Sequence, residues 1–323
     1  MKKRRVVFKS FLLFFLVVFL VLLGTGAYAY YTYDSAKTTV NDDMHESVKN
    51  IDETKAPDTE KKPEPINVLL MGVDERPDDP GRSDALIVLT LNPQKDAMQM
   101  VSIPRDTRTT IVGKGYKDKI NHSYAFGGTN MTVGTVENFT DAEMDYYVKI
   151  NMQGLPDVVD AVGGITVHNT LDWHDEGYYK KGYHYKKGDI HLNGEQTIGF
   201  VRMRHKDPNG DFGRNKRQRK VIEAIIDKGA SFSSVTRVQD ILSTLGDNVK
   251  TNMAFDNMKN LFLNYRNARQ NVKQYEVQGN GTKINGIYYL QVPQKERQKV
   301  HQMIGSMNQT DAKKNMNASA AKD

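Results

Sequence analysis

The sequence predicts an α/β protein, a single domain with a central mixed β-sheet between helical layers, preceded by one N-terminal transmembrane helix. Three observations carry this reading. The apolar runs "INVLLMGVDE", "ALIVLTLN" and "MQMVSIPRD" follow one another from Ile66, each bounded by turn residues, as buried strands are. Beyond them strand and helix signals alternate, the pattern of layered α/β domains. Before them, Ser10 to Tyr33 contains no charged residue and Phe11 to Leu23 is Phe, Leu and Val throughout, long enough to span a bilayer.

In chain order, residues 1–9 form a basic tail whose Lys2, Lys3, Arg4 and Arg5 stay cytoplasmic by the positive-inside tendency, so the chain after Tyr33 is exported. Residues 10–33 read as a signal-anchor, with Tyr30, Tyr31 and Tyr33 as an interfacial belt. A cleaved signal peptide is the rival, because "AYA" at Ala27–Ala29 is a small-x-small site. Residues 34–65 lack aromatics and end in "KAPDTEKKPEP", which predicts a linker with a short helix around His45–Ile51. The folded domain runs over residues 66–307, and the polar, small-residue stretch 308–323 is a flexible tail.

Within the domain, the first strand ends at Gly72 and Asp74, the second covers Ala85–Asn92, and "NPQKD" turns into the third. "DYYVKINM" is a strand, "QGLPDVVDAVGG" a short helix closed by glycines, and "GITVHN" a further strand. "LNGEQTIGFVRMR" reads as a helix running into a strand, and Arg214–Ala230 as a long helix with a second helical stretch to about Leu245. "FDNMKNLFLNYRNAR" is a helix, and "VKQYEVQGNGTKINGIYYLQVP" two strands around a Gly-Asn-Gly turn. No internal repeat is present.

Charge and cysteine usage narrow the chemistry. The net charge of +6 rests on Lys2, Lys3, Arg4, Arg5 and Lys9, leaving 40 basic against 39 acidic residues from Ser10 onward. A near-neutral exported domain lacks the broad basic surface of nucleic-acid binders. With no cysteine, thiolate catalysis and Cys-ligated metals are excluded, and the fold rests on its own core. The histidines, among them His168, His174, His184, His191 and His205, show no i, i+4 pair on one helix. "WHDEGYYKKGYHYKKG" reads as a surface hairpin, with sugar stacking as the alternative.

Three motifs place charge where an apolar element ends. In "GVDERPDDPGRSD", Asp74 ends one strand and Asp84 precedes the next. On neighbouring strands both carboxylates meet at one sheet edge, suiting Mg2+ or Mn2+, although Asp, Pro and Gly are also ordinary turn residues. In "SIPRD", Arg105 ends the third strand beside Asp106, and a local surface ion pair is the competing reading. Val201–Lys220 holds five arginines and three lysines against two aspartates. Alternation in "FVRMRH" would set Arg202 and Arg204 on one side of a short strand. Counting back from Val221 and Ile225 puts Arg214 and Gln218 on the core-facing stripe of the long helix and leaves Arg219 off it. A core-facing arginine needs an anion. Arginine forks match phosphate oxygens, so a diphosphate held by several arginines and a divalent ion is the coherent ligand, against a solvated basic face.

These motifs in order, with "MVSIPRD", "KINHSYAFGG", "DVVDAVGGITV", "LNGEQTIGFVRMRHKD" and "DFGRNKRQRKVI", resemble the LytR–CpsA–Psr family over Ile66 to Pro293, and within it the teichoic acid transferases. The resemblance implies an αβα domain enclosing a hydrophobic groove for a polyprenyl chain. It implies an enzyme that moves a glycopolymer from a polyprenyl diphosphate carrier to peptidoglycan N-acetylmuramic acid through a phosphodiester. By motif, Asp74 and Asp84 would hold Mg2+ or Mn2+. Arg82, Arg105, Arg202, Arg204, Arg214, Arg217 and Gln218 would hold the phosphates. Asn121 would assist substrate binding, and Asp211 is a candidate base. The implied partners are the lipid-linked polymer, the peptidoglycan acceptor and the cytoplasmic membrane. A polyprenyl-diphosphate hydrolase and a non-catalytic wall-polymer binding module remain alternatives.

Overall fold

Three apolar runs, buried on both faces, build the centre of the fold. In the computed structural model they are β1 (Ile66–Val73), β2 (Ser83–Asn92) and β3 (Ala97–Ile103), an antiparallel meander. The described residues are 25, 27–51, 63–75, 78–230, 245–246 and 248–309. The basic tail, residues 10–24 of the expected anchor, residues 231–244 of the second helical stretch and residues 310–323 of the tail lie outside them. Among the described residues no helix is long and apolar enough to cross a membrane.

After β3 come the short pair β4 (Arg108–Thr110) and β5 (Lys117–Lys119), and then helix α1 (His122–Thr140). β6 (Tyr146–Asn151) pairs parallel with β1, followed by α2 (Leu155–Ala161). A side ribbon of β7 (Ile165–Asn169) and β10 (Gly188–Leu192) frames a small hairpin, β8 (Trp173–His174) and β9 (His184–Tyr185). β10 (Gly188–Leu192) leads into α3 (Gly194–Arg202) and α4 (Gly210–Ala230). Then come β11 (Val249–Thr251), α5 (Phe255–Asn264), β12 (Asn271–Glu276), the hairpin β13 (Asn280–Ile284) and β14 (Ile287–Gln291), and α6 (Gln294–Asn308). The main sheet is mixed, in the order β11-β6-β1-β2-β3-β12.

Each face of the sheet is covered. Leu69, Met71, Leu86 and Val88 pack beneath α1 and α6, through Val133, Val136, Val300 and Ile304. Val68, Ile87, Leu89 and Met100 point the other way, toward Met253, Tyr265 and the partly buried Ile222, Ile226 and Leu261 of α4 and α5. Each such side chain contributes about 1.5–3 kcal/mol of burial. The layered α/β expectation therefore holds.

Four local expectations do not. Residues 36–51, read as linker, are packed: Ala36, Val40, Met44, Val48 and Ile51 are buried, and the Glu46 N–H donates to the Thr251 carbonyl at 2.8 Å. The reason is an i, i+4 stripe of single apolar residues that the absence of aromatics concealed. The helix there covers residues 27–38 and continues as a π-helix over Thr39–Met44, ending where the short helix was expected to begin. The C-terminal hairpin turns at Asn285–Gly286, both with positive φ (51° and 80°), rather than at Gly-Asn-Gly, because a two-residue turn of that hand matches strand twist. No strand follows α3, for the reason given below. The β8–β9 hairpin is as expected, but its Trp173 and Tyr185 are buried and stacked at 4.1 Å, so it is fixed to the side ribbon rather than being a free surface loop.

Candidate active site

The β1–β2 connection brings the two expected carboxylates together. The backbone N–H groups of Asp74 and Asp84 both donate to the Arg82 carbonyl, at 3.3 and 3.0 Å, while the Arg82 side chain is exposed. This closure needs Gly81, which has φ +71°, and a Cβ there would sit 2.4 Å from the Asp74 carbonyl oxygen. The backbones of two carboxylate-bearing residues are thus held close together at one edge of the sheet, as a pair of hard-oxygen ligands would require. Among the described residues no group of three or more His, Cys, Asp or Glu is placed to hold a metal, so phosphate and water oxygens would complete the shell.

Arg105, just past β3, closes on this edge. Its Nη1 donates to Asp84 Oδ2 at 2.8 Å, and Asn121 Nδ2 donates to Asp84 Oδ1 at 3.0 Å. Asn121 is buried at the head of α1, which opens with one turn and restarts at Gly127–Gly128, where Gly128 has φ +60° and ψ −151°. Only glycine takes that conformation readily, which accounts for the "AFGG" of the motif. Lys119 Nζ binds Asp106 Oδ1 at 2.6 Å. Facing them, Asp211 in the first turn of α4 has its Oδ1 3.0 Å from Arg204 Nε and 3.1 Å from Arg214 Nη2. A cavity of about 390 Å³ between these groups is lined by Arg105, Asp106, Lys119, Arg204, Asp211, Phe212 and Tyr288.

The charges do not balance evenly. Burial works against the Arg105 cation, but Asp84, Asp211 and Asp106 outweigh it and hold its pKa above the ordinary arginine value. For Arg214 burial dominates, opposed by Asp211 and Asp84 and reinforced by Arg105 and Arg204, leaving its pKa below that value. Arg214 is therefore short of negative charge. Arg105 Nε and Arg214 Nε are buried without a hydrogen-bond acceptor among the described residues, as is Asn121 Oδ1 without a donor. Orphaned groups of this kind cost about 1–3 kcal/mol each, and an anionic oxygen ligand would satisfy the arginines.

Behind the charged cluster runs an apolar cavity of about 490 Å³ between the sheet and helices α4 and α5. Leu70, Ile87 and Leu89 floor it, and Val221, Ile222 and Ile225 roof it. At its head the register pairs two small residues, Gly72 and Ala85, which leave room between the layers. Each lies within two residues of an edge carboxylate, Asp74 or Asp84. Gln218 lines the same end, one turn from Arg214. The helical stripe that predicted Arg214 and Gln218 is the one that lines the groove.

Other arginines of the basic run are placed differently. Arg217, expected to hold phosphate, is buried within the protein: its guanidinium pairs with Asp207 and donates to the carbonyls of Phe200 and Met203. Those carbonyls terminate α3, so the chain does not enter the expected strand, and Arg202 becomes the last helical residue, half-buried. No ion pair among the described residues joins Arg202 to the cluster. A reciprocal cap between Asn193 and Gln196 starts this helix and supplies the signal for it. Arg219, left off the stripe, is also buried, with Nη2 3.3 Å from Glu276 Oε2, because β12 covers that side of α4. Asp207, Lys119 and Glu276 were not anticipated, since each partner lies far away in sequence or is unmarked by a motif. The run presents no continuous basic face.

The model of the LytR_cpsA_psr family matches residues 28–305. The chain belongs to this family. Its sequence is 52% identical over 293 residues to the polyisoprenyl-teichoic acid–peptidoglycan teichoic acid transferase TagU of Bacillus subtilis strain 168, covering 90% of this chain and 93% of that protein. The crystal structure of B. subtilis TagU aligns with TM-score 0.65 and 47% identity over 77% of this chain and 98% of the other. The structure of TagT bound to LIIa-WTA aligns with TM-score 0.65 and 30% identity over 81% and 94%.

Proposed function

We propose that this chain is a phosphotransferase of cell wall biogenesis. It attaches a teichoic acid or similar glycopolymer, carried on a polyprenyl diphosphate, to an N-acetylmuramic acid hydroxyl of peptidoglycan. The observation that carries this is the continuity of an apolar groove with an arginine cluster in which Arg214 is short of negative charge, joined at Gly72, Ala85 and Gln218. Such a site fits a lipid whose head is a diphosphate.

In this reading the groove holds the polyprenyl chain and Gln218 the junction. Arg105, Arg204 and Arg214 hold the phosphate oxygens by charge-assisted forks. Arg82, exposed, and Arg202, half-buried, would meet the phosphates from outside this cluster. The acceptor oxygen attacks the phosphorus that carries the polymer. Its bond to the polyprenyl phosphate oxygen breaks, and the electron pair leaves with polyprenyl phosphate. Asp211, shared by Arg204 and Arg214, would take the hydroxyl proton once phosphate oxygens engage those arginines. Asp74 and Asp84 would hold Mg2+ or Mn2+, which when bound neutralises the diphosphate and the leaving oxygen. An uncharged run from Ser10 to Tyr33 supports an anchor that keeps the domain on the outer face of the cytoplasmic membrane, beside its lipid donor.

The test reconstitutes the full chain with a polyprenyl-diphosphate-linked disaccharide, a peptidoglycan oligomer and Mg2+, with products followed by mass spectrometry. A phosphodiester adduct that disappears with EDTA and in Asp84→Ala and Arg105→Ala is expected. Polyprenyl phosphate released without adduct would make it a hydrolase. Lipid binding without turnover would make it a binding module.

A further inference from the structure

The far end of the apolar groove, away from the charged cluster, opens at α5, where Phe262 and Arg266 line it. Phe262 is 41% exposed and Leu263 59%, with Lys259 exposed on the same helix and Arg266 exposed in the single turn that follows it. The N-terminal helix lies along α5. The Phe255 N–H donates to Asn41 Oδ1 at 2.9 Å, the Tyr33 ring meets Phe255 at 5.2 Å, and Lys259 Nζ sits 5.8 Å from the Tyr33 ring centroid. Passing from Asn41 back to Tyr33 therefore passes from Phe255 toward Lys259. The preceding turn of the same helix carries Tyr28, Tyr30 and Tyr31, all exposed. Six of the twelve exposed large apolar side chains among the described residues belong to these two helices. The chain leading into the first of them is uncharged back to Ser10.

We propose that Phe262, Leu263, Lys259 and Arg266, together with the tyrosines of residues 28–33, form a docking surface for an anionic lipid bilayer that seats the open end of the groove on the membrane. Three features on this rim favour lipid over another occupant. Aromatic and aliphatic tips stand beside basic groups whose stems can lie along apolar surface while their charges reach headgroups. The same rim is the mouth of a cavity lined almost wholly by apolar side chains. Tyr33, which closes the uncharged run of the sequence, packs against Phe255 and beside Lys259 of α5. The chemistry entering the groove rests on the function proposed above; the docking surface itself does not.

The chain has no cysteine, so one introduced thiol reports one position. Full-length Leu263→Cys and Lys181→Cys, the latter exposed on the β8–β9 hairpin, are each labelled with a polarity-sensitive fluorophore. Both are placed in phosphatidylcholine–phosphatidylglycerol nanodiscs containing headgroup-depth spin-labelled lipid and no donor. Several-fold stronger quenching and a blue shift at position 263, reduced by salt and by omitting phosphatidylglycerol, are expected. Equal quenching at 263 and 181 overturns the proposal. So does energy transfer between two labelled copies at 263 that persists in detergent, which would assign the surface to a second copy of this chain. Because no donor is present, loss of the transferase reading leaves this result standing. Conversely, failure to dock leaves adduct formation from detergent-solubilised donor intact, and Leu263→Ser is expected to slow transfer only from bilayer-embedded donor.

Discussion

At the residue scale, two arginines three positions apart on one helix do opposite work. Arg214 is partly buried with too little negative charge around it, and Arg217 is buried with each of its three guanidinium nitrogens hydrogen-bonded. Arg214→Ala should lower kcat/KM by about 10²–10³-fold, the usual effect of losing one positioned donor, while changing stability little. Arg217→Ala should destabilise by about 3–5 kcal/mol in urea unfolding, because it strands the buried Asp207. Measured together, kinetics and unfolding midpoints separate the two roles. The Asp207 carboxyl also makes a pH signature. Burial alone would raise its pKa, but hydrogen bonds from Arg217 and the Asn209 amide prevail and hold it below the ordinary 3.8. The unfolded chain then binds the proton first on acidification. The stabilisation is present well above pH 3.8 and is lost as the pH falls below it through the folded-state value. Urea midpoints measured downward from neutral pH should show this loss, and Asp207→Asn should remove that part of the dependence.

At the element scale, the groove depends on small residues facing each other across β1 and β2. Ala85→Phe places a ring between the layers and should raise KM for a long polyprenyl donor while sparing kcat on a short-chain one; steady-state kinetics with both donors checks it. A matched loss on both donors would mean that the ring disturbs Asp84 instead. Much of this architecture is legible in sequence because its signals are local: β1, β2 and β3 follow from unbroken apolar runs bounded by turns, and the Arg214–Gln218–Val221 stripe from helical period. What is not legible is tertiary. Arg217 and Arg219 differ in sequence from Arg214 only by position on a helix that turns out to be covered on several sides. The linker reading failed at Val40, Met44 and Val48 because isolated apolar residues in a polar stretch carry weak signal until a partner surface is known. The residues expected to hold metal and phosphate were picked out by motif, whereas the pairing of Lys119 with Asp106 and of Glu276 with Arg219 arises only through chain reversal.

At the scale of the whole molecule, the domain starts before its first strand. A chain beginning at Ile66 loses Val40, Met44, Val48 and Ile51 from the core, on the order of 6–12 kcal/mol as an upper bound, comparable with the whole stability of an ordinary domain. A fragment beginning at Asp34 should melt cooperatively by calorimetry, and one beginning at Ile66 should not. The other end of the chain matters as much. Val300 and Ile304 of α6 are fully buried in the core that also contains Val48, Leu69 and Val101. Asn92 Nδ2 donates to the Met307 carbonyl at 2.6 Å, and Arg297 donates to the carbonyls of Asn138 and Phe139. A nascent chain, growing from its N-terminus, cannot close this core until its last helix has been made. Contacts this distant in sequence also form slowly. Synthesis therefore yields a long-lived open polypeptide, and any machinery that threads it through a membrane during that interval has no folded domain to pull apart.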